Sequence, residues 1–416
     1  MSTKSFIPPK FNYPLLWFTD FSLPFLLKSI HNLDSVELSD EDKSTIKSLR
    51  KERVILIANH PTTQEPPVLY TLANIMSSRF NYMASREVFD WGSGYVGDFI
   101  QGIGAYSVIA GTSDKDSLRA TREILSTPEG KLVLFPEGEP TSGLNDTLLP
   151  FQPGVAQLGF WGYEDTIKKD PNANLTILPI FIKYKMNQNE EWMRKDLDLS
   201  LAVLESKMNL TKQGKTIIER FLSIGKRLIE KEEREYGIQV DNPDDFDFRM
   251  GKIRHTILDN VANKIELPKY DLKDNAITKL RKILSFLELA TLDLENSKEN
   301  KPQSDVAKWA RKAAQKAYDF ITMEINYIKE LPSAERLYEW LYRYEQEILG
   351  ETKMRPHIAK VRLSNPIFLK QLYDGYKKDK KKMVQDITIE LRTKLDDLLE
   401  DEKSLSKELF PSEYRF

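Results

Sequence analysis

Apolar residues fall into two patterns along this chain. Before about residue 187 they form short unbroken runs, of which VILIA (54–58) and LVLF (132–135) are the clearest; beyond it they recur every three or four residues among charges. An unbroken run of aliphatic residues suits a strand buried on both faces, as in parallel sheets covered by helices. The three-to-four spacing suits helices with one apolar face. The patterning predicts an α/β fold with a mostly parallel central sheet flanked by helices, and an additional all-helical C-terminal domain. The boundaries fall at 1–45 for an N-terminal helical segment, 46–190 for the α/β domain and 191–416 for the helical domain.

Within the first part, residues 39–52 read as a helix with Asp40 and Glu41 at its amino end, and Pro66 and Pro67 open another, since a proline loses no hydrogen bond in a first turn. Residues 80–89 read as a strand running into a loop, 117–126 as a helix, and 151–161 as the start of one. The segment 6–33 is rich in Phe, Leu and Trp, but its apolar section is too short to span a bilayer and is interrupted by Asp20 and Pro24. Two readings stay open for it: an amphipathic piece at a membrane interface with Trp17, Phe18 and Phe25 inserted, or a helix packed on the α/β domain. Helical periodicity marks 212–236, 250–265, 275–294, 305–331, 334–349 and 366–399, with breaks at Asn242–Pro243, 297–304 and 350–356. YKKDKKKM (376–383) is the concentrated basic patch. It suits either anionic head groups and acidic carriers or a solvated helix face.

Composition narrows the chemistry. The 416 residues hold a core of considerable size, and the formal net charge of −2 offers nucleic acid no general attraction. No cysteine is present, which excludes disulfides, thiolate catalysis and cysteine-held metals. His31, His60, His255 and His357 are the four histidines, too scattered for a metal-ligand spacing. No secretory leader is recognisable, and absence of cysteine agrees with a reducing, cytoplasmic setting.

The apolar run 54–58 stops at Asn59-His60-Pro61, where a strand should end. Ligands gather at the carboxyl ends of strands in open α/β sheets. Glu65 then falls at the start of the following helix, so one short turn holds an imidazole and a carboxylate within reach. Such a pair takes a proton from a hydroxyl near neutral pH and returns it to a leaving group. The bland alternative is an ordinary turn histidine. The second run repeats the design, LVLF leading into Pro136, Glu137 and Gly138, where a glycine lets backbone N–H groups approach a phosphate or an oxyanion.

These motifs together resemble a known family. NHPTTQE is similar to the histidine-plus-acid signature of the glycerolipid acyltransferases, the lysophosphatidic acid (1-acylglycerol-3-phosphate) acyltransferase type, and FPEG (135–138) matches that family's second motif. GIGAYSVIAG (102–111) resembles its middle motif, and LTILPIF (175–181) its closing strand. The resemblance covers roughly residues 53–185. Glu65 stands where the family has Asp. The arginines that commonly follow FPEG and close the middle motif are absent, with Glu139 and Pro140 in one place and Ala110 in the other.

The resemblance implies transfer of a fatty acyl group from a thioester, acyl-CoA or acyl carrier protein, to a hydroxyl of a glycerolipid-type acceptor. His60 and Glu65 would be catalytic, the base and the carboxylate that stabilises its imidazolium. Asn59, Arg86, Phe135, Pro136, Glu137 and Gly138 would bind substrate. Arg86, Lys115, Arg119 and Arg122 are nearby in sequence and suit two readings, cations that replace the missing arginines at a phosphate or head group, Lys115 and Arg119 foremost, or ordinary exposed helix charges. No metal or other cofactor is implied. The expected partners are the lipid acceptor, the thioester and a peripheral contact with the cytoplasmic membrane face. Two alternatives stand beside this: a helical interaction or membrane-associated protein that keeps a weakly active or inactive acyltransferase scaffold, motivated by the missing arginines, and a hydrolase in which the same histidine activates water.

Overall fold

The computed structural model of the chain describes residues 6–109, 114–141, 143–211, 215–240, 242–243, 245–291 and 302–411. Ala110 and Gly111 of the middle motif, and residues 297–301 of one expected break, lie outside them. Two compact units are formed: Met1–Lys185 with Pro356–Leu405, and Met186–Arg355 with Ser406–Phe416.

In chain order the first unit begins with α1 (Tyr13–His31), β1 (Leu33–Glu37), α2 (Asp40–Ser48), β2 (Arg53–Ala58), α3 (Glu65–Met76) and β3 (Asn81–Ser85). A kinked 3₁₀ segment (Arg86–Gly94) leads to α4 (Tyr95–Gly102), β4 (Ala105–Val108), α5 (Lys115–Ser126), β5 (Lys131–Leu134), α6 (Gly154–Lys169) and β6 (Leu175–Met186). Local sequence sets the helix ends. The Asn12 side chain accepts the Leu15 N–H to cap α1, whose far end closes on Asn32 in the left-handed conformation. Glu65, Pro66 and Pro67 form the first turn of α3.

The second unit is built from α7 (Glu190–Lys207), α8 (Ile217–Glu235), α9 (Phe246–Lys264), α10 (Ala276–Thr291), α11 (Ser304–Thr322), the short α12 (Ile325–Glu330) and α13 (Ala334–Leu349). Thr216 and Glu219 close a reciprocal capping box at the start of α8. Its core includes Leu201, Phe221, Ile257, Leu337 and Trp340.

The chain then supplies β7 (His357–Leu363), β8 (Ile367–Phe368), α14 (Leu369–Lys378) and α15 (Lys380–Ser404) to the first unit. The sheet runs in the order β1-β7-β6-β2-β5-β3-β4, with β8 on β6. β2 pairs in parallel with both β5 and β6, β3 with β4 and β5, and β1 with β7, while β8 is antiparallel. The mostly parallel sheet agrees with the sequence expectation; the purely helical stretch expected over 191–416 does not extend to residues 357–368. β7 alternates buried and partly exposed residues, HIAKVRL, and the charges of Lys360 and Arg362 between buried positions hide a strand from a search for unbroken apolar runs. The helix read over 366–399 is likewise two helices, broken at Asp379, which caps α15 through the Lys382 N–H.

β2 occupies the middle of the sheet. From Val54 to Ala58 every side chain is fully buried, alternating between the two cores on opposite faces. Each of the Val, Ile and Leu side chains contributes roughly 1.5–3 kcal/mol. That rigid strand delivers residue 60 to the carboxyl edge of the sheet.

Candidate active site

β2 and β5 run side by side in register from Val54↔Lys131 to Ile57↔Leu134, so the turns that follow them emerge together. The two loops are stitched to each other: the Thr141 N–H donates to the His60 carbonyl at 2.8 Å, the Gly143 N–H to the Pro61 carbonyl at 2.6 Å, and the His60 N–H to Glu137 Oε1 at 2.8 Å. Phe135 lies on the imidazole face, with ring centroids 4.2 Å apart and planes inclined by 19°. Both sequence motifs therefore converge on His60.

The imidazole Nδ1 lies 2.5 Å from Glu65 Oε2. An ionised carboxylate can only accept, so the proton of the neutral ring sits on Nδ1 and Nε2 carries the lone pair. Glu65 is fully buried, and its other oxygen accepts from the Thr62 N–H at 3.1 Å, the Thr62 hydroxyl at 2.6 Å and the Tyr184 hydroxyl at 2.7 Å. Burial pushes the Glu65 pKa up, but hydrogen bonds and the charge of His60 outweigh it and hold the carboxyl below its ordinary value. Thus Glu65 is ionised and fixed from several sides. The ring it orients cannot turn without breaking that bond and the stacking on Phe135.

Glu137 is placed differently from the substrate-contacting role the sequence suggested. It is fully buried, and its second oxygen accepts the Leu149 N–H at 2.6 Å. Its carboxylate ties the backbone of His60 to the far side of its own loop. Burial raises its pKa to about 7, against the pull of its bonds to the Leu149 and His60 N–H groups and the charges of His60 and Arg392.

Gly138 has φ of +80°, and its N–H donates to the Phe135 carbonyl at 3.1 Å, closing a four-residue turn with Pro136 at its second position. That N–H is therefore engaged in the turn, and the glycine's contribution is the turn's shape. A Cβ at this position would meet Gln152 Nε2 at 2.1 Å.

Asn59 is also clasped internally: its amide donates to the Ile182 carbonyl at 2.9 Å and accepts the Ile182 N–H at 2.7 Å, fastening the end of β2 to β6. Arg86 follows β3 directly, is buried, and pairs with Asp90 at 2.9 Å. Lys115 and Arg119 are exposed in the first turns of α5, and Arg119 is bonded to Asp116 at 2.8 Å; Arg122 pairs with Asp165 at 2.6 Å. The basic stretch 376–383 is partly structural: Tyr376 is buried against Phe160 with centroids 4.0 Å apart, and Lys380 pairs with Glu164 at 3.0 Å.

Four supporting residues escape a reading of the motifs alone. Thr62 and Tyr184 hold Glu65. His357 Nε2 lies 2.9 Å from Gln64 Oε1, and its ring meets Tyr184 edge-on at 5.5 Å. Arg392 of α15 donates to the Leu149 carbonyl at 2.6 Å and lies over the Phe151 ring at 5.4 Å. The period of two along β6, Ile180, Ile182, Tyr184, is the one available signal for Tyr184. His357 and Arg392 are nearly 300 residues or more from His60 in sequence, and no local pattern marks them.

A parallel α/β sheet whose central strand presents a carboxylate-held imidazole beside a second, rigid turn has the groups needed to take a proton from a hydroxyl. Residues 35–183 match the model of the Acyltransferase family. No curated protein matches the chain. Among the described residues no cluster of three or more His, Asp or Glu is arranged to hold a metal ion, and no helix is long and apolar enough to cross a membrane.

Proposed function

We propose that this acyltransferase moves a fatty acyl group from a thioester, acyl-CoA or acyl carrier protein, to a hydroxyl of a glycerolipid-type acceptor. The observation that carries the reading is the 2.5 Å contact between His60 Nδ1 and the buried Glu65, which leaves Nε2 as the basic nitrogen. Nε2 removes the acceptor hydroxyl's proton as that oxygen bonds to the thioester carbonyl carbon, and Glu65 stabilises the imidazolium. The tetrahedral intermediate then collapses, the carbon–sulfur bond breaks, and the imidazolium returns its proton to the thiolate. No acyl-enzyme forms. Arg86, Lys115 and Arg119 stand at or after the carboxyl ends of β3 and β4 and are the cations proposed for the acceptor's head group.

Exposed Trp17, Phe18, Phe21 and Phe25 on α1 support peripheral contact with a membrane, where such an acceptor resides. The opposite face of α1 packs inward through Leu16, Leu23 and Leu27, and Asp20 is neutralised by Arg79 at 2.7 Å. Both readings left open for this segment are thus compatible with one helix.

Thioester release by the purified chain, measured over a panel of glycerolipid acceptors with wild type and His60→Ala, tests the proposal. A loss of about two to four orders of magnitude is expected for a missing general base. Equal rates would remove His60 from the mechanism, and release of free fatty acid without an acceptor would turn the reading to a hydrolase.

A further inference from the structure

The helical unit encloses a cavity to which the motif loops contribute no residue. α8, α9, α11, α12 and α13 surround an empty space of about 840 Å³, its open mouth included. The walls are largely apolar, with Leu222, Leu228, Phe246, Met250, Phe320 and Ile325 among them. The polar side chains on the lining include the acids Glu232, Asp319 and Glu347, and most of the polar groups have partners of their own. Lys316 bonds to Glu232 at 2.9 Å, Glu347 to Lys231 at 2.9 Å, and Arg343 to the Thr322 hydroxyl at 3.0 Å.

Three donors are not spent in this way. Lys226 and Lys329, both exposed, line the cavity without an acidic partner among the described residues. Trp340, 2% exposed, also lines it, and its indole Nε1 has no hydrogen-bond partner among the described residues. An unspent donor in an apolar wall is satisfied when a ligand brings an acceptor. A hydrocarbon body would displace water from the walls, and a single anionic head would meet the two lysines.

We propose that this cavity binds a long-chain carboxylate, a free fatty acid, at a site separate from His60. The ligand's chain lies among the apolar walls and its carboxylate faces Lys226 and Lys329. The inference rests on the cavity alone and stands whether or not His60 is the catalytic base.

The test uses the full chain and oleate below its micelle concentration, with oleyl alcohol as the neutral counterpart. Titration followed by tryptophan fluorescence is expected to saturate at one oleate per chain. Reversing both exposed lysines (K226E with K329E) is expected to weaken oleate about tenfold, the size of one lost charge-assisted bond, while leaving the alcohol unchanged. Trp340→Phe keeps the ring and removes the donor, and is expected to weaken oleate severalfold. Photo-cross-linking with a diazirine-bearing palmitate should label peptides of α8, α9 and α11–α13, in the His60→Ala protein as in wild type. Labels confined to residues 6–185, oleate affinity unmoved by the lysine reversals, or equal affinity for acid and alcohol would each overturn the proposal. The lysine variants lie on the surface, so a loss of binding with unchanged thermal unfolding cannot be assigned to misfolding.

Discussion

Glu137 reaches His60 through the backbone: its Oε1 accepts the His60 N–H at 2.8 Å, and the imidazole is held from elsewhere, by Glu65 and Phe135. The second motif therefore fixes where the histidine's main chain sits, while the first fixes where its ring points. Each contact can be removed separately, and the consequences differ.

Replacing Glu65 by Gln keeps the volume but makes the group a poor partner for a protonated ring, and leaves the Thr62 and Tyr184 donors facing a neutral amide. The expected result is a fall in kcat of about two to four orders of magnitude, as when a buried carboxylate is lost from beside a catalytic histidine. Circular dichroism on the same protein should show an unchanged fold. A variant within a few-fold of wild type would mean that the orientation of His60 does not limit the rate.

Glu137 contributes a pH dependence of stability whose sign can be worked out. Its folded pKa of about 7 lies above the ordinary 4.5, so between those values the folded chain holds a proton that the unfolded chain releases. Stability is then full below about pH 4.5 and falls as pH rises towards 7, by about 3 kcal/mol in all for a shift of this size. Glu137→Gln should lack this component. Urea midpoints measured at pH 4.5, 5.5 and 7 should converge on the Gln variant's from one side only; parallel curves would contradict the assignment.

Gly138 adopts φ of +80°, a region where a Cβ is strained. Gly138→Ala should destabilise the chain by about 1–2 kcal/mol, and Gly138→Asn by less, since Asn tolerates left-handed backbone better. Equal costs for the two would point to the contact with Gln152, the end of a flexible side chain, as the dominant effect.

Arg392→Met preserves much of the side-chain stem over Phe151 but removes the bond to the Leu149 carbonyl, whose N–H serves Glu137. A stability loss of about 1–2 kcal/mol is expected for that charged hydrogen bond. Because the Arg392 charge lowers the Glu137 pKa, the window in which stability falls should also move to higher pH. A purely structural loss would leave that window in place, so the pH series distinguishes the two.

Trp17→Asp and Phe21→Asp test the apolar face of α1. Phe21 is 90% exposed, so its replacement should change unfolding free energy by no more than about 0.5 kcal/mol. Co-sedimentation with anionic phospholipid vesicles should drop several-fold, with turnover of a water-soluble donor and acceptor unaffected. Undiminished sedimentation would place the membrane contact elsewhere.

Much of the candidate site was written locally. An unbroken apolar run dictates a doubly buried strand, the following Asn-His-Pro ends it, and paired prolines start a helix five residues on; the His60–Glu65 contact needs nothing beyond that short turn. The same reasoning placed Phe135 to Gly138 after β5. What the residues there do was not readable in this way. Asn59, Glu137 and the Gly138 N–H are spent on backbone groups of β6, of loops 59–61 and 147–149, and of their own turn, and whether a polar group faces inward depends on neighbours that sequence does not reveal.

The return of residues 357–368 to the sheet, and of His357 and Arg392 to the surroundings of Tyr184 and Glu137, was decided by tertiary structure alone. A strand with charges between its buried positions carries half the apolar signal of β2, and its pairing with β1 and β6 is selected by backbone hydrogen bonds that any sequence can make. The cavity among α8 to α13 has the same origin. Helical periodicity fixes which face of each helix is apolar, but the space left between those faces depends on how the helices are packed together. Sequence determined the chemistry carried by the first sheet turn; packing determined what holds that chemistry in place.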